Sequence, residues 1–148
     1  GCLPASIWQS GREEAIEKIR KDIEFTAFGS DISQDSLEIA EANARRAGIS
    51  GLIRLEKADV KNFTIPDRKS LVVTNPPYGE RLMNGEDLTK LYQTMGNVFQ
   101  PSQQTAYYII SSAEDFEQGF GRKADKKRKL YNGMLKCNLY QYFAQKSK

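Results

Sequence analysis

Asn75-Pro76-Pro77-Tyr78 brings together a side-chain amide, two rigid imino acids and an aromatic ring in four consecutive positions. Chance places this tetrapeptide in about one chain in two thousand of this length. The chemistry it suits is transfer to an amino group on an aromatic ring. Such an amine is a poor nucleophile, because its lone pair is delocalised into the ring. A catalyst must therefore hold the amino hydrogens with acceptors and aim the lone pair at the group to be transferred. The Asn75 side-chain oxygen and the Pro76 carbonyl can be the two acceptors. Proline fixes φ, and a residue before proline is pushed to extended geometry, so Pro76 and Pro77 stiffen the loop. Alignment of this kind lowers a barrier by several kcal/mol. Tyr78 offers a flat face for an extruded base, where stacking contributes about 1–3 kcal/mol.

A second group of residues could hold a nucleotide-like cofactor. Asp31 ends a short apolar run beginning at Phe25, where a carboxylate can accept hydrogen bonds from ribose hydroxyls, and Ile32 can pack against adenine. Capping the following helix is an equally good use of the Asp31 carboxylate. Asp59 ends a later run and could accept from the adenine amino group, with Val60 beside it; a solvated loop aspartate is the alternative. Gly119-Phe120-Gly121-Arg122-Lys123-Ala124 has G-x-G-x-x-A spacing, but no strand precedes it, so it reads as a loop. Arg122 to Lys129 carries six of the 22 basic side chains and could neutralise phosphates or simply form a solvated face.

The elements that must position these residues follow from patterning. Arg12 to Lys21, with Ala15, Ile16 and Ile19, reads as an amphipathic helix, and Phe25 to Asp31 as a strand. Ser33 or Asp35 can cap a helix running to Gly48. Leu52 to Val60 reads as a second strand, and Ser70 to Thr74 as a central parallel strand stopped by Pro76 and Pro77. A helix is expected over Gly85 to Phe99, a strand over Thr105 to Ser111, and a helical turn or short helix within Ala113 to Gln118. Lys127 to Tyr131 and Leu135 to Phe143 flank Asn132-Gly133, the signal for a two-residue type I′ hairpin. Strand-helix alternation closed by a hairpin implies an α/β fold with a mostly parallel sheet and an antiparallel edge.

Composition narrows the functions. The 148 residues are one domain's worth of chain, 39% hydrophobic and 28% charged, with no apolar run near the roughly 20 residues a bilayer requires. No membrane association is expected, and a cytoplasmic location is the default. Without histidine, a Ser-His-Asp or Cys-His site is excluded and the commonest metal ligand is absent, so no metal is expected. Cys2 and Cys137 are far apart and are expected to be reduced.

These residues resemble the ribosomal RNA large-subunit methyltransferases that make N2-methylguanine, a group often labelled N6-adenine-specific DNA methylases. The resemblance is specific at Phe28-Gly29-Ser30-Asp31-Ile32, at Ala42-Asn43-Ala44-Arg45-Arg46-Ala47-Gly48 and at Thr74 to Leu82. It continues through Ala124-Asp125-Lys126-Lys127 and Asn132-Gly133, so that it covers nearly the whole chain from about Trp8. It implies a Rossmann-like methyltransferase fold, S-adenosylmethionine as donor and the N2 amino group of a 23S RNA guanine as acceptor. It also implies Asp31 as ribose ligand, Asp59 as adenine ligand and Asn75, Pro76, Pro77 and Tyr78 as catalytic loop. Glu80 and Arg81 extend the loop, which favours the RNA group over DNA adenine enzymes.

The family also has a first strand with a Gly-rich loop, Asp-Pro-x-Cys-Gly-Ser-Gly, and a preceding RNA-binding THUMP domain. Neither is found here, and Gly1-Cys2-Leu3-Pro4 cannot stand in for the loop. The expectation is therefore one partial catalytic domain over 1–148, inactive in isolation, acting on ribosomal RNA within a parent protein. A missing central strand would leave open edges, and self-association through them is expected. Two rival functions remain: N6-adenine methylation of DNA, and a non-catalytic RNA-binding fragment.

Overall fold

The computed structural model describes residues 4–20, 22, 24–77 and 85–145, apart from the side chains at 85 and 132. They divide into two compact units, Gly1–Glu56 and Lys57–Lys148.

The first unit contains helix α1 (Ala5–Glu17), strand β1 (Ala27–Asp31), helix α2 (Gln34–Arg46) and strand β2 (Ile53–Lys57), with β1 and β2 hydrogen-bonded as a pair. Helix α1 starts well before the expected Arg12 and stops before Ile19. Pro4, with φ −55°, suits a helix start, and Ile19 N–H bonds to the Ile16 carbonyl in a closing turn. No α1 residue is buried, so packing does not set its boundaries. The α2 limits follow local chemistry instead. Ser33 Oγ accepts from Ser36 N–H at 3.3 Å, and Gly48 turns the chain out at φ +70°. Leu37 and Ala44 form its buried face.

The second unit is built on a four-stranded sheet: β3 (Ser70–Thr74), β4 (Thr105–Ser111), β5 (Lys126–Asn132) and β6 (Leu135–Tyr142), in the order β3-β4-β6-β5. Strands β3 and β4 are parallel, and β6 runs antiparallel to both its neighbours. Helix α3 (Gly85–Val98) connects β3 to β4, and the short helix α4 (Phe116–Phe120) precedes the hairpin. The whole is mixed α/β, as expected. Among the described residues β3 has one hydrogen-bonded neighbour, β4, and Leu71 and Val73 are exposed.

One aromatic core holds this unit together. Tyr92, Met95 and Phe99 recur at helical spacing along α3 and pack with Tyr107 and Ile109 of β4, Phe116 and Phe120 of α4, and Tyr140 and Tyr142 of β6. Burying tyrosines requires partners for their hydroxyls. Tyr92 pairs with Ser111, while Tyr107, Tyr140 and Tyr142 donate to the carbonyls of Gln100, Ala113 and Arg122. Burial raises the Tyr142 hydroxyl pKa well above the ordinary tyrosine value.

Two expectations change at the chain's turns. The pair Asn132↔Leu135 belongs to the β5–β6 ladder, so the hairpin loop is Gly133-Met134 and not Asn132-Gly133. Gly133 has φ +60° and Met134 does not have positive φ, which is the pattern of a II′ turn with glycine first. Gly119 and Phe120 belong to α4, and Gly121, at φ +76°, closes it. The G-x-G-x-x-A match is thus a helix C-terminus, which presents carbonyls and has the wrong polarity to cradle a phosphate.

Candidate functional site

The sharp end of β3 is made by sequence. Ser70 to Thr74 runs extended beside β4 until Pro76, which has no N–H to continue the ladder. Pro76 is buried and anchors the turn, Pro77 is half-buried, and no peptide bond among the described residues is cis. Asn75 between strand and anchor is exposed, and among the described residues its side chain makes no hydrogen bond. The result is an exposed amide at the carboxyl end of a parallel strand, its acceptor and donor unused among the described residues. Tyr78, Glu80 and Arg81 lie outside the described residues.

Asp31 ends β1 as expected. Its Oδ1 accepts from Ser33 N–H at 2.8 Å, a local turn that leaves the capping of α2 to Ser33. Asp31 is therefore not the helix cap, and its second oxygen has no partner among the described residues. Ile32 follows with two-thirds of its surface exposed.

Asp59 departs from expectation. Strand β2 stops at Lys57, and Asp59 instead caps a 3-10 turn over Val60–Asn62. Its Oδ1 accepts from Lys61 N–H at 2.9 Å, and its Oδ2 lies 3.3 Å from Lys61 Nζ. The backbone hydrogen bond from Lys61 is the main reason its carboxyl pKa lies below the ordinary range. Val60, partly buried, packs against the aromatic core. Asp31 and Ile32 belong to the first unit; Asp59, Val60 and Asn75 belong to the second.

The basic run is divided in its use. Arg122 donates to the Phe99 carbonyl at 2.9 Å and lies over the rings of Tyr142 and Phe120, 4.7 and 5.4 Å from their centroids. Lys127 pairs with Glu117 at 2.7 Å. Burial acts to raise the Glu117 pKa, but hydrogen bonds from Lys127 and the Ala124 N–H outweigh it and bring the pKa below the ordinary value. These two cations serve the fold, whereas Lys126, Arg128 and Lys129 are exposed and make no ion pair among the described residues. Sequence reasoning passed over Tyr131 and Lys136, the exposed residues next along the hairpin. The signal was present, because no acidic residue follows Asp125. A groove of about 480 Å³ lined by Pro101, Tyr107, Arg122, Lys123 and Tyr142 sits at the start of β4, the end of the sheet away from Asn75. Among the described residues no group of acidic or cysteine side chains could hold a metal ion, and no helix is long and apolar enough to cross a membrane.

Comparison with known proteins identifies the family and the fold. YpsC of Bacillus subtilis (strain 168) is 41% identical over 139 residues, which cover 94% of this chain and 36% of that protein. Ribosomal RNA large subunit methyltransferase K/L of Shewanella baltica (strain OS185) is 34% identical over 150 residues, 97% of this chain and 21% of its own length. The chain thus spans about a third and a fifth of these relatives. The crystal structure of SMU.472 complexed with SAH superposes with a TM-score of 0.87 at 39% identity, over 99% of this chain and 39% of that one. The fold is the Rossmann-like fold of S-adenosylmethionine-dependent methyltransferases. The sequence pattern of the RMKL-like, methyltransferase domain family matches residues 3–141, and the chain belongs to that family.

Proposed function

We propose that the protein containing this chain methylates an exocyclic amino group of a nucleic-acid base, the N2 of a guanine in 23S ribosomal RNA, with S-adenosylmethionine as donor. The observation that carries this reading is the exposed Asn75 amide, without a hydrogen bond among the described residues, at the end of β3 beside the buried Pro76. The large-subunit methyltransferase relative supplies the substrate class.

Each residue, taken singly, has chemistry that suits the cofactor. Asp31 has a carboxylate oxygen with no partner among the described residues to accept from ribose hydroxyls, and Ile32 offers an exposed apolar surface for adenine. The Val60 N–H, at the start of a 3-10 turn, has no partner within that turn and can donate to a ring nitrogen. Asp59 has its two oxygens engaged by Lys61, yet a carboxylate has about four acceptor sites, and an exposed ion pair contributes little to hold it closed. It can therefore also accept from the adenine amino group. When bound, S-adenosylmethionine supplies an electrophilic methyl group.

The chain's own part is alignment. Asn75 Oδ1 and the Pro76 carbonyl accept the two amino hydrogens, favour a tetrahedral nitrogen whose lone pair is no longer delocalised into the ring, and stabilise the positive charge that develops on nitrogen. Pro77 keeps the carbonyl aimed, and Tyr78 stacks on the extruded base. Once methylated, the nitrogen is acidic enough to lose its proton to water, so no general base is required.

Titrating the intact protein with S-adenosylmethionine tests the cofactor half of this reading. Replacement of Asp31 by alanine should weaken binding about ten- to a hundred-fold, as loss of hydrogen bonds to a charged group does. An Asp31→Ala variant with unchanged affinity would remove Asp31 from the cofactor site.

A further inference from the structure

The β5–β6 hairpin outruns the sheet it closes. The last pair joining β4 to β6 is Ser111↔Asn138, but β5 and β6 continue through Leu130↔Cys137, Tyr131↔Lys136 and Asn132↔Leu135. Three residue pairs and the Gly133-Met134 turn therefore project beyond β4, at the end of the sheet where β3 delivers Asn75. The register gives the offset. Thr74 is level with Ile109, Ile109 with Tyr140, and Tyr140 with Lys127. Tyr131 is four residues further on, about 13 Å higher, and on β5, three strand spacings, about 14 Å, to the side of β3.

The projecting part has the composition of a nucleic-acid contact. Tyr131 is 68% exposed and Met134 fully so, surfaces the fold does not use. Tyr131 and Lys136 are direct cross-strand partners, and Lys129 lies two residues before Tyr131, so the three share one face. Arg128 is exposed on the other face. None of these cations makes an ion pair among the described residues, and the hairpin contains no acidic residue. An aromatic ring set between uncompensated cations matches the alternation of base and phosphate along a strand of RNA.

We propose that this hairpin tip is the surface that holds RNA beside the target base, Tyr131 stacking on a flanking nucleotide while Lys129 and Lys136 contact phosphates. The proposal rests on the reading of the protein as an RNA methyltransferase and adds the element that positions the substrate. Tyr131 and the two lysines are positioning residues, since they stand well away from Asn75.

The test is steady-state methylation of RNA by the intact protein, with Tyr131→Ala and with Lys129→Glu combined with Lys136→Glu. Tyr131→Ala should raise KM for RNA about ten- to a hundred-fold with kcat and cofactor affinity unchanged, the loss expected of one base stack. The charge reversals should raise KM further and reduce the slope of log affinity against log salt by about one per phosphate contact. Variants with wild-type KM and salt slope overturn the hairpin proposal and leave methyl transfer standing; that is also the outcome if the tip docks a protein. A fall in kcat or cofactor affinity at unchanged KM overturns it as well, by showing a structural role. If the wild-type protein does not methylate RNA, both the proposal and the reading beneath it fail.

Discussion

Replacing Asn75 by alanine should lower the rate of methyl transfer by about two to three orders of magnitude while leaving the melting temperature and cofactor affinity close to those of the unchanged protein. Removing one preorganised hydrogen-bonding group from a transition state costs a factor of about 10²–10³. Asn75 is exposed and makes no hydrogen bond among the described residues, so truncating it removes no contact they show. Asn75→Asp keeps an acceptor in place and should retain more activity than Asn75→Ala. Equal losses in the two variants, or a large loss of stability in either, would contradict the acceptor role.

The second large effect lies in the core. A Cβ added at Gly96 would stand 2.0 Å from the Phe120 carbonyl oxygen and 2.9 Å from its carbon. These are backbone atoms at the end of α4, and they cannot swing aside as a side chain can. Helices α3 and α4 must separate, opening the packing of Tyr92 against Phe116 and its 4.9 Å ring contact. Alanine is favoured over glycine in a helix by about 1 kcal/mol, but overpacking against backbone costs about 3 kcal/mol or more, so the clash wins. Gly96→Ala should lower the melting temperature by roughly 10 °C. An unchanged or raised melting temperature would mean that α3 and α4 are not packed this closely. Gly119, whose added Cβ would meet Tyr92 Cβ at 3.1 Å, should tolerate alanine better, because a shift of a few tenths of an ångström relieves that contact.

The parts of this structure that sequence revealed are those fixed by local signals. Ser70–Thr74 was legible because β-branched residues run directly into two prolines, and Thr105–Ser111 because a long apolar strand admits no other period. The hairpin was legible, but its turn was misplaced by one residue. Asn-Gly favours type I′, yet here Gly133 takes the first loop position and Asn132 pairs with Leu135. Asp59 was read as the end of a strand because Leu52 to Val60 alternates in polarity, whereas its own carboxylate bonds Lys61 N–H and starts a 3-10 turn. Contacts between residues distant in sequence were not legible at all. Nothing local marks Gly96 as the seat of the Phe120 carbonyl, or predicts that Arg122 is held by Phe99, 23 residues away, instead of facing solvent.

The candidate site followed the same division. The rigid Asn75-Pro76-Pro77 turn and the end of β1 at Asp31 are local features and stand where patterning put them. Which cations are available to RNA depends on tertiary partners. Glu117 takes Lys127, and the Tyr142 ring and Phe99 carbonyl take Arg122. Lys129 and Lys136, exposed on the hairpin, have no ion-pair partner among the described residues.

The most direct test of the central claim is nucleoside mass spectrometry of ribosomal RNA and DNA from cells that carry either the intact protein or its Asn75→Ala variant. Loss of one N2-methylguanine from 23S RNA in the variant, with DNA unchanged, is the predicted result. Loss of N6-methyladenine from DNA with N2-methylguanine retained would contradict it and assign the same loop to adenine.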